Sequence, residues 1–156
     1  MDTIFYNRTK NTSASRKSRE ENKNFVLQYP QHFGELIPLA FNISDAVSRK
    51  ACWILECIAN EKPEWFQPHL DFICDNLKIP KDDGVIDPFR KSASCLPLHI
   101  SKKDGKISLS ENLLHKITKA CFDWLINDTK VACKVHAIRT LFFTGKELDW
   151  VSRTAL

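Results

Sequence analysis

The sequence is poor in glycine, and it contains neither a long apolar run nor a leader-like start. Four glycines in 156 residues are too few for phosphate-cradling loops or for an all-β fold with many tight turns. No apolar stretch approaches the roughly 20 residues of a membrane-spanning helix. The first residues, MDTIF, lack the basic and apolar regions of a signal peptide. These absences favour a helical, cytoplasmic protein that does not enter a membrane.

Cysteine and histidine are present, but not at spacings that bind metal. The six cysteines form no C-x-x-C pair, and each lies in an apolar-periodic segment: Cys52, Cys57, Cys74, Cys95, Cys121 and Cys133. We interpret them as buried reduced thiols, which pack as small hydrophobic side chains. The five histidines are scattered along the chain. The sequence therefore predicts no metal site and no cofactor.

Positive charge is concentrated at the N-terminus. The chain has 23 basic and 19 acidic residues, a net charge of +4, and residues 1–24 alone contribute +3. A nucleic-acid-binding protein usually concentrates positive charge on its folded face. This distribution therefore favours another class of partner.

Three windows, each 42 residues after the last, carry the same apolar pattern. Each has apolar side chains at positions i, i+4, i+7 and i+11, which lie on one face of an α-helix. They are Val47, Ala51, Ile54 and Ile58; Phe89, Ala93, Leu96 and Ile100; and Val131, Val135, Ile138 and Phe142. Possible caps precede the windows at Ser44-Asp45, Asp87-Pro88 and Asn127-Asp128. The pattern predicts an internal helical repeat.

A second amphipathic helix is predicted in each repeat. One covers about 67–78, and another begins at a capping box in the segment 108–111, SLSE. Similar patterns predict helices over 15–29, with a capping box at 18–21, and over 31–42. Residues 1–14 are polar, and we expect a flexible segment there. Residues 15–156 then form a single helical-repeat domain whose last repeat is incomplete.

Helix pairs that repeat every 40 to 47 residues are typical of HEAT and armadillo arrays. The segments ACFDWLINDTKVA (120–132) and VSRKACWILE (47–56) resemble those of a family of small bacterial HEAT-like proteins. Members of this family are often labelled adenylosuccinate lyase, and the resemblance covers roughly 30–150. It implies an all-α protein: a right-handed α-α superhelix of about six or seven helices, without a β-sheet.

The residues do not support lyase chemistry. Authentic lyases of that class carry a Gly-Ser-Ser-x-Met-Pro-x-Lys-x-Asn loop that supplies the catalytic serine. The only methionine here is Met1. We therefore predict no catalytic residues and no adenylosuccinate lyase activity.

Seven residues are weak candidates for a binding site: Asp71, Asp75, His115, Lys119, Asp123, Trp124 and Arg139. The two aspartates share a helix face, and an offset of 44 residues between the second helices aligns them with His115 and Lys119. Ordinary ion pairing is favoured for these four residues, with acid–base chemistry as the alternative. The last three supply the residue types that base-excision glycosylases place around a lesion.

Two classes of function remain open. We expect a non-catalytic interaction module that binds a protein partner, the commonest use of this architecture. The alternative is a nucleic-acid-binding HEAT-like protein related to base-excision DNA glycosylases, with basic residues on successive helices.

The incomplete last repeat predicts an exposed apolar edge at the C-terminal end, formed by Phe142, Phe143, Leu148 and Trp150. We therefore expect a monomer or a weak homodimer that associates through this edge.

Overall fold

The computed structural model describes residues 2–42, 44–76 and 110–126, together with Ile138 and Leu141. Helical residues make up 84% of these, in six α-helices, and this part of the chain contains no strand. The predicted all-α class is confirmed for the described residues. By its internal contacts the chain divides into two compact units, Met1–Pro63 and Glu64–Leu156. The single domain that we expect over 15–156 stays a prediction.

The first unit contains four α-helices. They are α1 (Thr3–Lys10), α2 (Arg16–Gln28), α3 (Phe33–Phe41) and α4 (Ser48–Glu61), and a short 3-10 helix, Pro30–His32, leads into α3. Helix α4 packs against both α2 and α3. The predicted stripe of the first window forms the centre of this packing, since its four members are at most 3% exposed: Val47, Ala51, Ile54 and Ile58.

The helix starts differ from the predicted caps by a few residues. The Ser15 hydroxyl caps α2 by accepting a hydrogen bond from the Ser18 amide at 3.2 Å, so the cap is Ser15 rather than Ser18. The Ser18 hydroxyl instead accepts from the Ser13 amide. Before α4, the Asp45 carboxylate accepts from the Val47 amide at 2.8 Å. Serine is common at several positions of a helix start, so sequence places the helix better than its first residue.

Helix α1 lies within the segment 1–14, for which we predicted a flexible stretch. Its N-terminus is capped by Asp2, whose carboxylate accepts from the Ile4 amide at 2.8 Å. Phe5 and Thr9 are buried, as is Thr12 beyond the helix end. The polar composition of the segment concealed its two aromatic side chains, Phe5, which stacks on His32, and Tyr6, which bonds to Asp45.

The second unit is described over two helices that pack against each other, α5 (Leu70–Asp75) and α6 (Glu111–Ile126). We predicted an α-helix over 67–78, but the α-helix begins only at Leu70. The preceding segment, Pro63–His69, is a 3-10 helix that contains Pro68, and proline has no amide hydrogen to donate within an α-helix. At the start of α6 the Ser110 hydroxyl accepts from the Leu113 amide at 3.2 Å.

Parts of the predicted repeat lie outside the described residues. These are the second window, the C-terminal apolar edge, Cys95, Cys133 and most of the third window. In the third window we expected Ile138 to be buried, and this is wrong, because its side chain is 57% exposed. Leu141 is 3% exposed. Of the two described residues of this segment, the buried one, Leu141, is not a position of the predicted pattern.

In the part of the chain that the structure describes, none of the helices combines the length and the apolar character that crossing a bilayer requires.

Candidate interaction surface

Helix α6 presents a row of exposed side chains at intervals of four residues. The row, here called the α6 stripe, consists of Glu111, His115, Lys119 and Asp123. Residues four apart lie on one helix face. The other side of α6 is buried through Leu114, Ile117 and Cys121, each of which is at most 7% exposed. Helix α6 is therefore buried on one side and open to solvent on the other.

The α6 stripe has mixed charge and ends beside an apolar side chain. The His115 imidazole Nε2 lies 3.6 Å from the Glu111 carboxylate, and both side chains are exposed. Lys119 and Asp123 add one charge of each sign. Ile126, at the end of α6, is 81% exposed. Such a surface offers both polar contacts and an apolar anchor.

The two aspartates of the predicted site lie on α5, and both are exposed. Asp75 accepts a hydrogen bond from the Lys116 ammonium at 2.7 Å. This bond raises the pKa of Lys116, because it favours the charged form of the lysine. We predicted His115 and Lys119 as the partners of the aspartates, and the partner found for Asp75 is different. Lys116, which bonds to Asp75, is not a member of the α6 stripe.

The described residues of the predicted site lack the burial that is typical of proton-transfer groups. General acid–base groups usually lie in desolvated clefts, where burial and neighbouring charges tune their proton affinity. The described members of the predicted site are solvent-exposed instead: Asp71, Asp75, His115, Lys119 and Asp123. Within the described ranges, no three or more histidine, cysteine or acidic side chains are grouped so that they could hold a metal ion.

Two members of the predicted site have no described side chain. Trp124 is part of helix α6, but the structure does not describe its side chain. Arg139 lies outside the described residues. A grouping of these two with Asp123 around a nucleotide stays a prediction.

The first unit holds one of its lysines between two acidic side chains. Lys23 on α2 is 9% exposed, and its ammonium lies 2.7 Å from Glu61 on α4 and also bonds to Glu20. These two hydrogen bonds raise the pKa of Lys23, and the bond from Lys23 lowers the pKa of Glu20. The charge of Lys23 therefore links two helices and is not available to a phosphate.

Two arginines of the first unit lie over aromatic rings. The Arg19 guanidinium is 4.7 Å from the centre of the Trp53 ring, and the Arg8 guanidinium is 4.1 Å from the centre of the Phe25 ring. Cations are attracted to aromatic faces within about 6 Å of the ring centre. Much of the basic character of residues 1–24 is thus engaged in contacts within the unit.

An aromatic cluster, which we did not predict, joins α1 to the rest of the first unit. The Phe5 ring lies 4.3 Å from the His32 imidazole, with the two planes 13° apart. Phe25 lies 5.7 Å from His32 at 16°, and the Tyr29 ring is 4.9 Å from Phe25. His32 is buried, and its Nδ1 lies 3.1 Å from Glu35. The spacing of Phe25, Tyr29 and His32 in the sequence could have predicted this cluster, because it places three rings on one helical face.

Comparison with known proteins does not assign this chain to a family. Neither the family models, nor the curated proteins, nor the solved structures include a match to this chain. The chain's own residues therefore carry the functional interpretation.

Proposed function

We propose that this chain is a non-catalytic helical-repeat module that binds a protein partner, with the α6 stripe as part of the contact surface. The observation that carries the proposal is the exposed face of α6, where charges of both signs lie beside the exposed Ile126. Protein interfaces combine apolar anchors with a polar rim. A helix whose opposite side is buried presents such a surface without the cost of ordering its backbone.

The proposal includes the HEAT- or armadillo-like architecture, a right-handed superhelix of about six or seven helices, and membership of the small bacterial family that the sequence resembles. Two packed helix pairs support it, α3 with α4 and α5 with α6. The burial of the whole first-window stripe also supports it. The four described cysteines are free thiols, which agrees with a cytoplasmic module.

Charge distribution favours a protein over a nucleic acid as the partner. A phosphate backbone is bound by side chains of one sign, whereas the α6 stripe carries charges of both signs. The neighbouring Lys116 is paired with Asp75, and Lys23 is paired with two carboxylates.

A charge reversal on the α6 stripe tests the proposal. The variant Lys119→Glu/Asp123→Lys exchanges the two charges and keeps the net charge of the chain. The matched control, Lys17→Glu/Glu21→Lys, makes the same exchange four residues apart on the exposed face of α2. Both variants should keep the circular dichroism spectrum of the wild type, because all four side chains are exposed.

The readout is affinity capture from the native cell, quantified by mass spectrometry for each variant. We expect a protein that the wild type and the α2 variant capture equally and that the α6 variant loses. Equal capture by all three forms excludes the α6 stripe as the contact surface. A mobility shift of duplex DNA that weakens steeply between about 50 and 200 mM salt favours the nucleic-acid alternative instead.

A direct assay tests the non-catalytic part of the proposal. Purified protein should leave the absorbance of adenylosuccinate unchanged. Turnover that co-purifies with the protein, and that disappears when an exposed residue of the second unit is substituted, contradicts the proposal.

A further inference from the structure

Helix α1 is fixed in the first unit by its buried side. Phe5 belongs to the core, with 2% of its side chain exposed, and it stacks on His32. Just beyond the helix end, the buried Thr12 hydroxyl accepts a hydrogen bond from the Asn22 side-chain amide at 3.0 Å. The outward-facing side chains of α1 are therefore presented from an ordered backbone.

Arg8 is an exposed cation on this helix, and an aromatic ring of α2 holds it in place. Its guanidinium carbon lies 4.1 Å from the centre of the Phe25 ring, although Arg8 itself is exposed. The attraction between a cation and a ring face restricts the long arginine side chain. A partner that binds the guanidinium therefore loses less affinity to the cost of ordering it.

The hydrogen-bond donors of Arg8 are left for a partner. A guanidinium carries five N–H donors in a planar fork, and a ring face supplies no oxygen to accept them. The ion pairs found within the described residues do not include Arg8. Of the acidic residues of α1 and α2 and their caps, Asp2 caps α1 and Glu20 bonds to Lys23. Glu21 is exposed and is not a member of these ion pairs.

Two exposed side chains with apolar bodies adjoin the pair of Arg8 and Phe25. Ile4 lies one helical turn before Arg8 on α1, and it is 78% exposed. The Tyr29 ring, which is 41% exposed, lies 4.9 Å from the Phe25 ring. We call the surface formed by Ile4, Arg8, Phe25 and Tyr29 the Arg8 surface. Arginine and tyrosine are enriched among the residues that contribute most to protein interfaces.

The charge of the Arg8 surface matches a carboxylate. A guanidinium and a carboxylate form two parallel hydrogen bonds, so one arginine recognises one acidic side chain. A phosphate backbone is bound by several cations together. In the first unit Lys23 is paired with two carboxylates, and Arg19 lies over the Trp53 ring. A single open cation beside apolar side chains therefore favours a protein segment over a nucleic acid.

We propose that the Arg8 surface binds an acidic segment of the protein partner. An aspartate or glutamate carboxylate of the segment accepts two hydrogen bonds from the Arg8 guanidinium, which Phe25 holds in place. An apolar side chain next to this carboxylate packs on Ile4 and Tyr29. This inference rests on the proposed function, because it takes the partner to be a protein, and it adds the chemistry that the first unit recognises.

A pair of peptides of equal size tests the proposal on the unmodified full-length chain by solution NMR. The probes are acetyl-Leu-Glu-Leu-amide and acetyl-Leu-Gln-Leu-amide. We expect the glutamate peptide to shift the side-chain signals of Ile4, Arg8 and Tyr29. The glutamine peptide should bind at least about tenfold more weakly, because it offers no carboxylate. Equal binding of the two peptides overturns the proposal. So does an absence of shifts at about 10 mM glutamate peptide, where a millimolar complex is mostly formed.

Two charge-removing variants assign the binding to Arg8. Arg8→Gln should weaken binding of the glutamate peptide at least about tenfold, because the two charge-assisted hydrogen bonds are lost. The matched control is Arg16→Gln, which removes the same charge from an exposed position of α2 and should bind as the wild type does. Circular dichroism checks that both variants stay helical. Equal weakening in both variants indicates general charge attraction and overturns the proposal.

A duplex oligonucleotide is the third probe. Shifts of Ile4, Arg8 and Tyr29 with the duplex, but not with the glutamate peptide, assign the surface to phosphate and overturn the proposal. None of these titrations involves the α6 stripe, whose charge reversal is read by capture of a protein from the cell. A failure of the Arg8 surface is therefore distinguishable from a failure of the proposed function.

Discussion

The Lys116 ammonium on α6 lies 2.7 Å from the Asp75 carboxylate on α5, which joins the two described helices of the second unit. Both side chains remain partly exposed. An ion pair of this kind contributes little stability, because water screens it and two long side chains lose freedom. The ion pair instead favours one alignment of the two helices, in which Lys116 of α6 lies beside Asp75 of α5.

A double-mutant cycle should identify that lysine. We expect Lys116→Gln to destabilise the wild type slightly and to have no effect in an Asp75→Asn background. Lys119→Gln, the control on the same helix, should behave identically in both backgrounds. Urea denaturation at low salt measures the coupling, which should fade at about 1 M salt because of screening. Coupling of Asp75 to Lys119 and not to Lys116 contradicts the observed pairing.

Ile58 should be a strong determinant of stability. Its side chain is fully buried in the packing of α4 on α2 and α3. Ile58→Ala should reduce the free energy of unfolding by about 2–5 kcal/mol, because it removes buried methyl groups and leaves a cavity. Ile4→Ala, at a site that is 78% exposed, should change it by at most about 0.5 kcal/mol. Similar midpoints in urea for both variants contradict the placement of the core.

The contact between Glu20 and Lys23 should make stability depend on acid pH. The hydrogen bond from Lys23 lowers the pKa of Glu20 in the folded chain below its ordinary value of 4.5. A lowered folded-state pKa contributes stability above the unfolded-state pKa, and this contribution is lost as the pH falls through the folded-state value. We therefore expect Glu20→Gln to be less stable than the wild type at neutral pH and equally stable well below pH 4.5.

Glu21→Gln is the control for this titration, because Glu21 is the exposed neighbour on the same helix. Thermal unfolding at a series of pH values gives the comparison. A stability difference for Glu20→Gln that persists unchanged in acid contradicts the role of the carboxylate.

The thiols should differ in reactivity. Burial raises the pKa of Cys74 to about 12, so almost none of it is thiolate near neutral pH. Burial also raises the pKa of Cys57, whose side chain is half-buried. Cys52 and Cys121 are at most 1% exposed. We expect iodoacetamide to modify Cys57 well before these other three in the native chain.

Peptide mass spectrometry separates the cysteine sites, and labelling in denaturant supplies the control, in which all thiols should react. Modification of Cys74 as fast as that of Cys57 in the folded chain contradicts its burial.

Local periodicity predicted much of the fold. The stripe of Val47, Ala51, Ile54 and Ile58 is buried as predicted, because the geometry of an α-helix alone decides which side chains share a face. The same reasoning identified Cys121 of α6 as a buried position. Helix starts were less certain, since Ser15 and Ser18 both have the chemistry of a cap.

The sequence by itself determined the helical class of the described residues and the inward and outward faces of α4 and α6, because these follow from interactions within one turn or two. Only the tertiary structure decided that Asp75 meets Lys116, that Phe5 stacks on His32 and that Ile138 faces solvent. Contacts between helices depend on how far each helix is shifted and rotated against its neighbour. A change of one residue in that alignment replaces one partner by another, while the apolar periodicity of each helix stays the same.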